Sequence, residues 1–341
     1  VLDFRFSRWE GYKKYHVLMM RIGDCDPAYP ALRYVADRFE LTLEQRCWLA
    51  WLYAASYCAA TAYYMISEFP DYENVDVRRL ENWWAANKHR CLFQTDRLRV
   101  KTQDQFVRMF VSYRKMMGDS QVETWKRLLR PSPGETYDAA YECMGKLYYF
   151  SRYSLFLFLE AVHRLTKFPM APTGIDLRNA ESCRNGLCYA THKDGWVKRP
   201  LTNDQWKYLH RRLKQLYREL KEEHASLPID YWNIETSLCA YKKLFWRTRY
   251  LGYYIDRQMA EIIKMQSVEG VDWSVLWDFR REFFHPALLG EVGGWRGPRP
   301  WRCNLVMDRG ALSDIPFPDV QYKYAVEFPG AWSAYGEPSW R

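Results

Sequence analysis

At 341 residues with an apolar share of 48%, the chain is long enough to bury a sizeable core and too hydrophobic for an intrinsically disordered segment. A net charge of +9 and an aromatic share of 17%, with 16 Trp and 26 Tyr, suit a polyanionic partner whose phosphates meet cations and whose exposed bases stack on rings. Nine scattered cysteines without a CxxC pair or secretory features argue for reduced thiols and against a disulfide framework or a structural zinc. The absence of G-x4-G-K-[ST], GxGxxG and HExxH argues against a P-loop kinase, a dinucleotide fold and a zinc peptidase.

In chain order, residues 4–21 read as a helix that ends at Gly23-Asp24-Cys25-Asp26-Pro27, a turn by composition. A D-x-D pair in a loop either holds Mg2+ through oxygen ligands or caps a helix, so Asp24 and Asp26 are weak metal candidates and stronger capping ones. Thr42 and Gln45 have the spacing of a capping box, opening a helix that runs through the uncharged residues 47–67 to Phe69-Pro70. That stretch is as long as a membrane span, but its Ala, Tyr, Ser, Thr and Trp content disfavours lipid, so a helix buried on most sides is expected and no membrane partner. Glu44 and Arg46 at its start either face a site or pair with each other or with solvent.

Residues 77–117 are the densest basic stretch, with Trp83, Trp84 and Phe93 interleaved. Arg90, Arg97, Arg99 and Lys101 are the expected contacts to a DNA backbone, a solvated amphipathic face being the alternative. Pro131-Ser132-Pro133-Gly134 marks a loop and a subdomain boundary, after which residues 137–167 read as one long helix. Arg152 lies there in apolar surroundings and needs a carboxylate or a phosphate as partner. Residues 169–200 read as loop. Within them S-C-R-N-G-L-C-Y-A, residues 182–190, has Gly186 beside Ser182, Arg184 and Asn185, a turn whose N–H groups could meet an anion. Thr202 and Gln205 form a second capping box, and Leu209, Leu213, Leu216 and Leu220 make the apolar stripe of an amphipathic helix; its charged face is assigned to packing rather than chemistry.

The stretch D-Y-W-N-I-E-T-S-L-C-A-Y-K-K-L-F-W-R-T-R-Y-L-G-Y-Y-I-D-R, residues 230–257, is the centre of the reading. As one helix it puts Glu235, Cys239, Lys242, Trp246, Arg249, Tyr253 and Asp256 in a single band. Unpaired charges are costly in a core, so the band is expected to line a cleft; pairing along an exposed face is the alternative. Residues 270–284 predict one more helix. From Gly290 onward the chain holds 7 of its 17 glycines and 6 of its 16 prolines, the composition of an extended tail anchored by Trp295, Trp301 and Trp332. The expected architecture is a mainly α, multi-helix globular fold: an N-terminal helical subdomain over residues 1–130, a helical catalytic subdomain over 131–289 and the tail over 290–341.

W-N-I-E-T-S-L-C-A-Y-K-K followed by R-Y-L-G-Y-Y-I-D-R resembles the central motif of the phage amino acid:DNA transferases, also called alpha-glutamyl/putrescinyl thymine pyrophosphorylases, which act in thymine hypermodification. E-L-T-L-E-Q-R-C-W-L-A-W-L-Y, the later F-P-D-Y, the Asp24 to Asp26 segment and the block at residues 182–190 extend the resemblance, in blocks, from Trp9 to Asp256. The resemblance implies a fold similar to helical DNA glycosylases and, as partners, double- or single-stranded phage DNA with a free amino acid or polyamine, in the cytoplasm of the infected bacterial host. It also implies the reaction: an amine, from glycine, serine or a polyamine, displaces pyrophosphate from 5-(pyrophosphoryloxymethyl)uracil.

Such chemistry needs a base, an anion clamp and a pocket for the uracil. Glu235 is the expected base, with Asp256 second. Lys242, Lys243, Arg247, Arg249, Arg184 and Arg152 are the expected clamp. Trp232, Tyr250, Tyr253, Asn185 and Ser182 are expected at the base. Cys239 offers a thiolate that could add to C6 of the pyrimidine. No cofactor is required by this scheme, and Mg2+ is left open. The rival classes are a glycosylase attacking C1′ and a non-catalytic reader of modified DNA.

Overall fold

The computed structural model describes residues 8–93, 96–245 and 252–284. Among them the chain forms fourteen α-helices and no strand: α1 (Arg8–Arg21), α2 (Ala28–Arg38), α3 (Leu43–Ser56), α4 (Ala59–Glu68), α5 (Val77–Asn87), α6 (Asp96–Met117), α7 (Gln121–Leu128), α8 (Pro133–Met144), α9 (Arg152–Thr166), α10 (Glu181–Ala190), α11 (Asn203–Glu223), α12 (Tyr231–Phe245), α13 (Tyr253–Met265) and α14 (Ser274–Phe283). The mainly helical class expected from the sequence is the class observed.

Both expected capping boxes are present, at Thr42 with Gln45 and at Thr202 with Gln205, because each threonine and glutamine satisfies N–H groups that the first helical turn leaves open. A third joins Ser132 to Glu135. The uncharged stretch at residues 47–67 is two helices rather than one. Tyr57 adopts a left-handed conformation (φ 52°), which ends α3 and lets α4 restart at Ala59. No helix of the described residues is long and apolar enough to cross a membrane. Residues 137–167 are likewise two helices, α8 and α9. Glu44 and Arg46 serve the fold: Glu44 accepts from Gln121 N and Val122 N at the start of α7, each at 3.0 Å, and Arg46 pairs with Asp37 at 2.6 Å.

Two further expectations are corrected. Residues 181–190 are a helix, not a glycine turn. A Cβ on Gly186 would lie 2.0 Å from the carbonyl oxygen of Leu238, so the glycine is there to let α10 cross α12 in backbone contact. The band at residues 230–257 is also not one helix. α12 is described as far as Phe245, and α13 begins at Tyr253 after Gly252, whose φ of 86° is left-handed. Trp246, Arg247, Arg249 and Tyr250 lie outside the described residues, as does the whole 290–341 segment with Trp295, Trp301 and Trp332.

The closest helix packings fall into two groups. In the first, α3 is enclosed by α9, α4, α6 and α7, with α2 against α9 and α4. In the second, α12 packs on α10 and α1, and α10 on α11. The surplus of rings goes mainly into the first: Trp48 stacks on Trp51 at 5.1 Å, Trp51 on Tyr113 at 5.0 Å and Trp84 on Phe106 at 4.2 Å. Between the groups runs a seam of buried polar side chains.

Candidate functional site in the seam between two helix groups

The turn between α1 and α2 fastens the seam. Gly23 has φ 74°, and a Cβ there would meet Phe283 at 2.7 Å, so only glycine fits. Asp24, fully buried, accepts the backbone N–H groups of Gly252 (2.8 Å), Tyr254 (2.9 Å) and Ile255 (3.1 Å). It is a cap, but for the distant α13 rather than the next helix in sequence, and its charge favours that N-terminus. Asp26 points the other way, to the Thr236 hydroxyl of α12. The two aspartates therefore do not converge on one ion, and no group of three metal-ligating side chains occurs among the described residues.

α12 carries most of the candidate catalytic side chains. Glu235 is 5% exposed, and burial raises its pKa; Arg152 lowers it most among the opposing influences, followed by a hydrogen bond from Cys239. Cys239, Ser182 and Lys242 continue the chain: the Lys242 ammonium donates to the Ser182 hydroxyl, which bonds the Cys239 sulfur. Lys242 is itself pushed down by burial. Burial and the Glu235 charge push the Cys239 thiol well up, so at neutral pH it is a hydrogen-bond donor to Glu235 and not the thiolate nucleophile that the sequence suggested. Lys243 is half-buried and acts electrostatically on the same thiol.

Arg152, the first residue of α9, is half-buried beside Glu235 and Cys183. It forms no ion pair or hydrogen bond with any described residue. A guanidinium so placed is set for an anion that arrives from outside. Tyr153, next in sequence, bonds Tyr57, and both rings lie in the fields of Glu235 and its neighbours. Beyond Tyr57 a recess of about 30 Å³ is lined by Asp26, Tyr53, Tyr57, Tyr254, Arg257 and Glu261. Burial raises Asp26 to about 6 and Glu261 to about 7, with Arg257 opposing both. The recess has room for an ammonium-sized group, not for a ring. Sequence reasoning missed Tyr57, Tyr153, Arg257 and Glu261, and considered Asp26 only as a helix cap or a metal ligand. The αL position of Tyr57 and the apolar run after Arg152 carry no local mark of a site.

Other expected site residues stand elsewhere. Trp232 is fully buried, stacked on His163 at 5.2 Å and edge-on to Tyr137 and Phe156, so it is core and cannot receive a base. Arg184 is two residues from Ser182, about 200° around α10, and so faces α11, where it lies 5.4 Å from the Trp206 ring. Asn185 is buried and accepts from Lys198 N at 3.3 Å, fastening the chain after α10 rather than reading a base. Asp256 is buried on α13 but does not line the recess. Tyr253 lies against Tyr254, which does.

The proposed DNA stretch is also differently employed. Trp84 and Phe93 are buried and Trp83 packs on Phe69 and Tyr64, so these rings hold α5 to its neighbours. Arg79 sits over Phe69 and pairs with Glu68, Lys88 pairs with Asp104, Arg108 covers Tyr148, and Arg114 bonds the carbonyls of Val75 and Glu73. Arg90 is exposed and within reach of the Tyr64 hydroxyl. The side chains of Arg97, Arg99 and Lys101 on α6 lie outside the described part of the structure.

A second ionic cluster holds α12 in place. Arg164 on α9 pairs with Glu160 at 3.2 Å and with Asp230, the N-terminal cap of α12, at 2.6 Å. The other Glu160 oxygen accepts from Tyr29 at 3.0 Å, and the other Asp230 oxygen from Asn233 N at 2.9 Å. On the far side of α12, Tyr12 and His16 of α1 both bond the Ser237 hydroxyl, at 2.6 and 2.8 Å.

Comparison with known proteins gives two findings that bear on this site. The sequence model of a family described as amino acid:DNA transferase matches residues 20–250, which include every described part of the Glu235 cluster. A protein of Salmonella phage ViI described as a serinyltransferase is 25% identical over 294 residues, covering 79% of this chain and 71% of that protein. No solved structure matches.

Proposed function

The chain belongs to the amino acid:DNA transferase family, whose members are enzymes that attach an amino acid to DNA, and on that premise we propose that it joins serine or glycine to a pyrophosphorylated 5-hydroxymethyluracil in phage DNA. The observation that carries this reading is a guanidinium, Arg152, with no ion pair or hydrogen bond to any described residue, beside a buried carboxylate of raised pKa, Glu235, with Lys242 two turns further along α12. Displacement needs those two functions side by side: a cation where negative charge departs, and a base where a proton must be removed.

In the proposed step, the amine nitrogen attacks the methylene carbon, a C–N bond forms, and the C–O bond to pyrophosphate breaks with its electron pair on the leaving oxygen. Arg152 and Lys242 stabilise the departing charge. The amino acid arrives as an ammonium with a pKa of about 8–10, and its proton passes to Glu235. Burial brings Glu235 closer to that range than an exposed carboxylate would be. Cys239, Ser182 and Lys242 orient the carboxylate through one hydrogen-bonded chain. Asp26 and Glu261, lining the adjacent recess, supply negative charge for the incoming ammonium. Serine is placed first among amines because the Salmonella phage relative is described as a serinyltransferase. The place of action is the host cytoplasm, where phage DNA is modified.

The test is mass spectrometry of nucleosides from pyrophosphorylated DNA incubated with the protein and a mixture of serine, glycine and putrescine. The expected product is a nucleoside heavier by the serine or glycine adduct, with release of pyrophosphate. A putrescine adduct alone would reassign the amine. Release of free base without a heavier nucleoside would replace this reading with the glycosylase.

A further inference from the structure

The charged face of α11, which sequence patterning assigns to packing, forms the wall of an open groove of about 860 Å³. Arg178, Trp206, Lys207, Arg211, Lys214 and Arg218 line it, and no carboxylate does. The four α11 cations recur at i, i+4, i+7 and i+11, so at about 1.5 Å per residue they make a stripe about 16 Å long. Arg211, Lys214 and Arg218 form no ion pair with any described residue, and Lys207 has only the exposed Asp204 at 3.4 Å. Two acids of the same helix are turned away: Glu219 accepts from Trp9 at 2.7 Å and Glu223 pairs with Lys13 at 2.7 Å, both toward α1.

We propose that this groove seats the sugar–phosphate backbone of the DNA substrate. The inference rests on the functional reading only in taking DNA as the partner. Along one strand at about 3.4 Å of axis per phosphate, the stripe passes about five phosphates. Trp206 lies under Arg178 at 4.9 Å and Arg184 at 5.4 Å, which fixes two guanidinium groups at the groove edge. Arg184 belongs to α10, whose other face carries Ser182 of the Glu235 cluster. A backbone lying on α11 therefore runs about one helix diameter, roughly 10 Å, from the reacting groups. A nucleotide turned out of its stack would cross that gap to meet them.

The experiment is binding of a short fluorescent DNA duplex followed by anisotropy across a salt series. The triple variant Arg211→Gln, Lys214→Gln, Arg218→Gln is expected to lose about 2.7 from the slope of log affinity against log salt, and at least about tenfold in affinity at low salt. The charge-preserving triple Arg211→Lys, Lys214→Arg, Arg218→Lys is expected to keep the wild-type slope. A neutral triple that keeps the wild-type slope overturns the proposal, and so does equal loss in the charge-preserving triple. Wild-type protein that binds DNA through this stripe but attaches no amino acid would contradict the functional reading alone.

Discussion

Two clusters of buried charge lie between α9 and α12, built from the same residue types to different ends. At one end of α9, Arg164 is matched by Glu160 and Asp230, and every oxygen of those two carboxylates accepts a hydrogen bond. At the other end, Arg152 has no partner among the described residues and Glu235 has its charge opposed by burial. The residue types are the same and both Glu160 and Glu235 are buried, although Arg164 lies deeper than the half-buried Arg152. What differs is satisfaction: the Arg164 cluster has its partners within the fold, while the Arg152 cluster is left open to groups that the fold does not supply.

The largest effect is expected on the satisfied side. Arg164→Ala strands the buried Glu160 and the half-buried Asp230 and should lower stability by about 3–5 kcal/mol, read as a fall in the denaturant midpoint; an unchanged midpoint would remove one half of the contrast. On the open side the signs reverse. Glu235→Gln removes a carboxylate whose ionisation the folded chain opposes, so the midpoint should hold or rise while transfer falls by about 10²–10⁴. A loss of stability like that of Arg164→Ala would place Glu235 with the scaffold instead. Arg152→Ala should reduce transfer by about 10²–10³ with little change in Tm, measured as single-turnover pyrophosphate release. Retained turnover would show that the guanidinium does not meet the leaving group.

The smallest expected effect sharpens the contrast through pH. Asp26 rises from an ordinary 3.8 to about 6 on folding. The native state therefore binds more protons than the unfolded state between those values, and stability falls as pH rises through that window. Asp26→Asn keeps an acceptor for Thr236 and should be more stable than the wild type by at most about 3 kcal/mol above pH 6. The advantage should vanish below about pH 4. Midpoints of the two proteins that diverge toward acid, rather than converge, would show that the ionised Asp26 is stabilised and not strained.

The sequence showed the parts of the site that depend on local period. Glu235, Cys239 and Lys242 are at i, i+4 and i+7 of one helix, so their shared face follows from 3.6 residues per turn. Capping boxes were legible for the same reason, since both partners lie within four residues. Non-local contacts were not. Gly186 reads as a turn until Leu238, far along the chain, is known to cross it. Asp24 and Asp26 read as a pair, yet the left-handed Asp26 (φ 51°) sends one carboxylate to α13 and the other to α12. Charge density misled in both directions. The cations near α5 are spent on Phe69, Glu68, Asp104 and backbone carbonyls, while Arg211, Lys214 and Arg218 of α11, on a face assigned to packing, form no ion pair with any described residue.

The measurement closest to the central claim is the mass of nucleosides recovered from pyrophosphorylated DNA after incubation with serine, comparing the wild type with Glu235→Gln at equal DNA occupancy. The heavier serine-bearing nucleoside should form with the wild type and fall to a trace with the variant, whose fold and DNA affinity are unchanged. Equal yields from the two proteins would mean that the proton is taken elsewhere and that the open cluster on α12 is not where the reaction occurs.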